Sequence, residues 1–164
     1  MRLHDRGMTL LELLVVIGLL AVLAGMGGTF ASTWRCKQNL SSDFSRLVLL
    51  VGDLQAQAST RGQSMLLTAA APPNSGLQLS WGASSRTCDA APAVSDGALD
   101  LTKVDVANAD AQTCLSADGT MVGGAFSLAK SCGGVTYQMR LTPIAATGYL
   151  LQERKVGAAD WEEL

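Results

Sequence analysis

One carboxylate, Glu12, stands inside the longest apolar stretch of the chain. Met8 to Ala31 run for 24 residues with no other charge. An ionised side chain near the centre of a bilayer costs about 2–3 kcal/mol, so an acid in such a segment points to a function, usually a buried charge pair. The other reactive side chains point away from catalysis. His4 is the only histidine, and it lies in the charged head Met1–Gly7. If that head is removed, the chain has no imidazole for a Ser-His or Cys-His nucleophile pair, a general base or a metal ligand. No G-x-S-x-G, Walker A, G-x-G-x-x-G or metal-ligand spacing occurs, so neither enzyme activity nor a cofactor or metal is expected.

Four cysteines, Cys36, Cys88, Cys114 and Cys132, are widely spaced without a C-x-x-C pair. Behind an export segment this even count reads as disulfides rather than a zinc or redox motif. Three connectivities are open. The preferred one joins Cys114 to Cys132 across a short loop, worth about 3 kcal/mol on chain entropy, and Cys36 to Cys88. A free or differently paired Cys88 thiol is the alternative.

Charge says little for a polyanion partner. The formal net charge is −2, and loss of Arg2, Asp5 and Arg6 with the head leaves 10 basic against 13 acidic residues, or −3. Nucleic-acid binding would have to be local.

The elements that position these groups follow from periodicity. The apolar run corresponds to about 36 Å of helix, enough to cross a hydrocarbon core of about 30 Å. An ordinary secretory signal cut after Val22-Leu23-Ala24 or Thr29-Phe30-Ala31, and a plain membrane anchor, are the competing readings; Glu12 counts against the first. Gly18, Gly25, Gly27 and Gly28 punctuate the segment, with Gly27-Gly28-Thr29 its expected soft point. Beyond Trp34-Arg35, Leu40, Phe44, Leu47, Val48, Val51, Leu54 and Ala58 recur every three or four residues. They form the core-packing face of an amphipathic helix running to about Thr60, with Arg61 in its last turn and Gly62 just beyond.

Alternating runs then predict strands at 64–69, 77–81, 99–106, 113–115, 121–128, 135–142 and 149–155. Pro72-Pro73-Asn74-Ser75-Gly76 and Asp118-Gly119 read as turns, and Gly82 to Gly97 as a long surface loop. The expected fold is α+β: a long N-terminal α-helix, membrane-spanning in its first half and amphipathic in its second, packed on an antiparallel β-sheet head. Its divisions are residues 1–7 as a leader, 8–34 as the membrane or filament-core helix, 35–62 as the amphipathic half and 63–164 as the β-rich head.

The segment Gly7-Met8-Thr9-Leu10-Leu11-Glu12, followed by Leu13-Leu14-Val15-Val16-Ile17, resembles the leader junction of type IV pilins and type II secretion pseudopilins. The resemblance covers residues 6 to 24. It implies that a prepilin peptidase cuts after Gly7 and methylates the new amino terminus at Met8. It also implies that the helix is retained and that Glu12 becomes the fifth residue of the mature chain. There the carboxylate would pair with the Met8 ammonium of a neighbouring subunit, since two buried opposite charges each need a partner. Methionine stands where the family usually has phenylalanine; it is apolar and flexible, and cutting is expected to survive.

The implied partners are the peptidase, other major and minor pilins or pseudopilins, and an inner-membrane assembly platform. The implied location is the bacterial inner membrane, as a single-pass protein before assembly, then the pilus, periplasm or cell surface. The helix lacks the proline that many major pilins carry, which tilts the reading toward a minor subunit. The helix end at Arg61-Gly62-Gln63-Ser64, the strands and the Asp118-Gly119-Thr120 turn resemble, as a pattern over residues 8 to 155, minor pilins and pseudopilins of the fimbrial T and general-secretion H type. The expected role is a minor type IV pilin of the tip or initiation complex, serving assembly, adhesion, twitching motility or DNA uptake. A type II secretion pseudopilin is the alternative. A DNA-binding competence pilin is a further one, for which only Arg140, Arg154 and Lys155 are near the right place. The tail Asp160-Trp161-Glu162-Glu163 is acidic, and no Gly-Arg-x-Arg occurs.

Overall fold

The computed structural model describes residues 9–70, 76–84, 88, 95–106, 111–144 and 149–164; within helix and strand, nothing is said of the side chains of residues 24–27, 29 and 106. Helix α1 runs from Leu10 to Arg61, 52 residues, about 78 Å at 1.5 Å per residue. It passes through Gly27-Gly28-Thr29 without a break. Thr9 caps its start in an extended conformation, with Oγ1 accepting the Glu12 N–H at 3.3 Å. Gly62 ends it at φ 63°, ψ 25°. There the Gln63 N–H also reaches the Ala58 carbonyl at 3.2 Å, the six-to-one bond of a Schellman stop, which favours glycine at the left-handed position.

Along α1 the environment changes sharply. Described side chains from Leu10 to Leu23 are exposed, whereas Leu40, Phe44, Leu47, Val51, Leu54 and Ala58 are buried and Val48 is half-buried. The expected stripe is therefore the face that packs on the head. Among the described residues no helix is long and apolar enough to cross a membrane. The described apolar side chains before residue 24 supply about 21 Å by the helical rise, and the expected 24-residue span from Met8 to Ala31 falls partly outside the described residues.

Ten strands follow: β1 (Ser64–Ala70), β2 (Leu77–Ser84), β3 (Gly97–Leu101), β4 (Asp105–Val106), β5 (Gln112–Leu115), β6 (Met121–Gly123), β7 (Phe126–Cys132), β8 (Val135–Ile144), β9 (Tyr149–Val156) and β10 (Glu162–Glu163). They form two five-stranded sheets, ordered β3-β2-β1-β5-β6 and β10-β9-β8-β7-β4, with every pairing antiparallel. The fold is α+β, a long helix packed on antiparallel sheets.

The single sheet anticipated from the sequence is two because the chain crosses between sheets inside two of the expected strands. The 99–106 run breaks at Thr102-Lys103-Val104, where the Asp43 carboxylate of α1 accepts the Lys103 N–H at 3.3 Å, so β3 edges one sheet and β4 the other. The 121–128 run breaks at Gly123-Gly124-Ala125. Gly123 has φ 155°, and a Cβ there would collide with the Gln112 carbonyl and Thr113. The Gly124 N–H caps that same carbonyl at 2.9 Å before the chain enters β7.

The expected 82–97 loop is shorter at both ends. Gly82 to Ser84 continue β2 opposite Ser64 to Leu66, and Gly97 opens β3 under the Trp81 ring. Residues 85–87 and 89–94, and all of the expected 72–76 turn but Gly76, lie outside the described residues. The Asp118-Gly119 turn joins β5 to β6, and Gln55 of α1 donates to the Gly119 carbonyl at 3.2 Å. In the core, α1 packs on β7, β8, β1 and β5, closing over fully buried Met65, Leu67, Leu79, Leu115, Phe126, Leu128 and Leu141.

Candidate functional site

The two ends of α1 carry different chemistry. At its start, Thr9-Leu10-Leu11-Glu12 is a capping sequence: the threonine hydroxyl satisfies one of the orphan N–H groups of the first turn. Glu12 then sits where the helix dipole favours an anion. The Leu13 N–H bonds the Thr9 carbonyl at 3.2 Å, closing the first turn. Glu12 is exposed and surrounded by exposed apolar side chains from Leu10 to Leu23. Gly7 and Met8, the expected cleavage and methylation positions, lie outside the described residues. Thr9 is the functional neighbour that sequence reasoning passed over; the T-x-x-E spacing was its signal.

All four cysteines are bridged, but in a different pairing from the one preferred above. Cys36 joins Cys132, with 5.7 Å between Cα atoms, and Cys88 joins Cys114 at 5.9 Å. The Cys114–Cys132 expectation fails because the crossover at Gly123-Gly124 puts β5 and β7 in different sheets. Cys132 ends β7 beside the helix, whereas Cys114 lies in the middle of β5 next to β1. The first bridge therefore ties α1 to the β7–β8 turn. The second pins Cys88, which has a left-handed φ of 52°, across the other sheet.

The three cations considered for DNA do not converge. Successive residues of a strand face opposite sides, so Arg140 and Lys155 share one face of their sheet and Arg154 takes the other. Arg140 makes a forked contact to Glu153, Nε to Oε2 at 2.8 Å and Nη2 to Oε1 at 2.9 Å, and lies 4.2 Å from the centre of the Trp161 ring. Arg154 pairs with Glu162 at 3.3 Å, and Lys155 approaches Trp161 at 6.0 Å. Trp161 and Glu162 are thus the counterparts of these cations, and the C-terminal segment folds back as β10 to supply them.

On the helix-facing side, Lys37 lies over the Tyr137 ring at 4.4 Å. It borders a groove of about 420 Å³ whose walls include Leu40, Met139, Val156 and Glu162. No cluster of three or more potential metal ligands occurs among the described residues.

A second group sequence reasoning missed is Asp43, whose side chain is 1% exposed between Leu40 and Phe44. Besides holding Lys103, it lies 3.7 Å from Arg46. Its place three residues after Leu40 and four before Leu47, on the apolar stripe, was the available sign that this acid points inward.

A comparison with protein-family models matches residues 2–28 to the prokaryotic N-terminal methylation motif. No curated protein and no solved structure matches the chain. The match spans the charged head, the capping sequence and the exposed apolar part of α1, while the disulfide-bridged head lies beyond it. Carried on an apolar rod with one first-turn carboxylate, the motif at residues 2–28 is the hallmark of type IV pilins and pseudopilins.

Proposed function

We propose that the chain is a minor type IV pilin of the tip or initiation complex. Prepilin peptidase cuts it between Gly7 and Met8 and methylates Met8, and residues 8–34 then serve as a single-pass inner-membrane anchor until assembly. Residues 35–62 are the amphipathic stem, and 63–164 form the head shown to other pilins. The observation that carries this reading is the methylation motif at residues 2–28 leading into one uninterrupted helix that is exposed and apolar below and buried in the head above. An apolar rod without partners in the single chain is stable only in lipid or in a bundle of like rods. The pattern of head elements supports the fimbrial T or general-secretion H type.

The assembly charge is Glu12, paired with the Met8 ammonium of a neighbouring subunit. The test is Glu12→Ala in cells that assemble the filament. The variant is cut normally but reaches sheared filaments at a small fraction of the wild-type level, whereas Gly7→Ala remains as uncut precursor. Normal incorporation of Glu12→Ala would sink the pairing.

A minor pseudopilin of a type II secretion system has the same motif. Recovery of the chain with secretion pseudopilins rather than in sheared pili, read by mass spectrometry, decides for that reading. The DNA-binding version gains nothing from the geometry, because Arg140 and Arg154 are engaged by carboxylates on opposite faces of their sheet.

A further inference from the structure

The lower end of the head gathers around one short stretch of α1. The Cys36–Cys132 bridge fixes the β7–β8 turn against the helix. A Cβ on Gly133 of that turn would stand 3.0 Å from the Thr33 hydroxyl, so the backbone lies close to the helix. The β9–β10 turn is held beside it by the Gly157 N–H, which donates to the Thr136 carbonyl at 2.8 Å. Both turns therefore sit level with residues 33–37.

That level follows from the helical rise. Trp34 stands about 4.5 Å and Arg35 about 6 Å above Ala31, where the apolar run ends, and Lys37 about 9 Å above it, from where its four-carbon stem reaches back toward the layer. The polar layer of one leaflet is about 5–7 Å deep. The chemistry of this end matches such a layer. Trp34 is 56% exposed, Val135 39% and Val156 44%, and a half-wet tryptophan is the usual interfacial anchor. Arg35, Lys37 and Lys155 have no ion-pair partner among the described residues. The nearby carboxylates are accounted for or solvated: Glu162 pairs with Arg154, Asp105 pairs with Lys130, and Asp160 is exposed in the β9–β10 turn.

We infer that this base of the head is a docking surface for anionic phospholipid. Trp34, Val135 and Val156 enter the interface, and Arg35, Lys37 and Lys155 meet lipid phosphates while the chain waits in the membrane. The inference rests on the anchor reading of residues 8–34. The disulfide gives it rigidity, since it holds the turn bearing Val135 at the depth set by the helix and keeps the head from tipping away.

The test uses the full chain reconstituted in vesicles of phosphatidylcholine with added phosphatidylglycerol, then extracted in detergent, with retained lipids counted by native mass spectrometry. Phosphatidylglycerol is expected to be enriched on the protein. The enrichment falls about fivefold for each cation removed in Arg35→Gln, Lys37→Gln and Lys155→Gln, and it falls as salt is raised before extraction. Arg35→Gln changes an exposed side chain and leaves the thermal unfolding midpoint in place, so its loss of phosphatidylglycerol reads lipid contact rather than folding. Equal retention of the two lipids, or enrichment that survives the triple variant, overturns the surface while leaving the anchor intact. A chain stripped from the vesicles by carbonate overturns the anchor reading and the surface together.

Discussion

Replacing Cys36 and Cys132 together with alanine removes the covalent tie between the helix and the β7–β8 turn, and the chain topology sets the size of the effect. The two cysteines are 96 residues apart. By the loop-entropy relation, closing a loop of that size in the unfolded chain is worth about 4.7 kcal/mol. The Cys88–Cys114 bridge spans 26 residues, for which the same relation gives about 3.5 kcal/mol. The Cys36→Ala/Cys132→Ala chain should therefore be the less stable of the two double variants by about 1.2 kcal/mol, a midpoint difference of about 3–4 °C for a chain of this length.

The assay is thermal unfolding of the full chain in detergent under non-oxidising, non-reducing conditions, followed by a thiol count on the denatured protein. Both variants should show no free thiol, because each removes a complete bridge. Two free thiols in either one would mean that the bridges join other partners. A larger loss from the Cys88→Ala/Cys114→Ala pair would refute the argument that loop length sets the cost.

Three further outcomes follow from the head. Gly123→Ala should destabilise the fold by about 1–3 kcal/mol in chemical denaturation, because its Cβ meets the Gln112 backbone at a position with φ 155°; a neutral result would mean the β6–β7 crossover relaxes freely. Asp43→Ala leaves the Lys103 N–H without its charged acceptor and should cost about 1.5–3 kcal/mol, with Asp43→Asn recovering most of it; equal losses would show that the acceptor is not what matters. The Asp118 carboxyl is held below its ordinary value of 3.8, first by the Thr120 hydroxyl and then by the Thr120 N–H. Because the folded value is the lower one, this help to the β5–β6 turn is complete above the ordinary carboxylate range and fades as pH falls through and below it. Thr120→Val should move the Asp118 titration, followed by NMR, back toward 3.8, and an unmoved titration would reject the hydroxyl as the main cause.

Much of the architecture could be read along the chain because it rests on local rules. The spacing from Leu40 to Ala58 predicted the buried face of α1, since 3.6 residues per turn places those positions together whatever they pack against. Arg61-Gly62 marked the stop because a left-handed residue with no Cβ is a local requirement. Val135, Tyr137, Met139 and Leu141 share a face for the equally local reason that a strand alternates. The Gly7 to Glu12 segment was legible for the same reason, as its chemistry lies in six consecutive residues.

What depended on distant partners was not legible. Where the strands divide into two sheets is decided at Lys103 and Gly123, by an acid 60 residues earlier in one case and by the approach of another strand's backbone in the other. β10 has no strand-like sequence. Glu162-Glu163 pair only because the Gly157 turn returns them to Arg154 and Glu153. The disulfide pairing is the clearest case. Sequence supplied four cysteines and three possible pairings; the separation of β5 and β7 into different sheets removed the one with Cys114–Cys132. Folding chose between the other two by bringing Cys132 within 5.7 Å of Cys36 and Cys114 within 5.9 Å of Cys88, because a bridge needs Cα atoms within about 7 Å and only folding sets that distance.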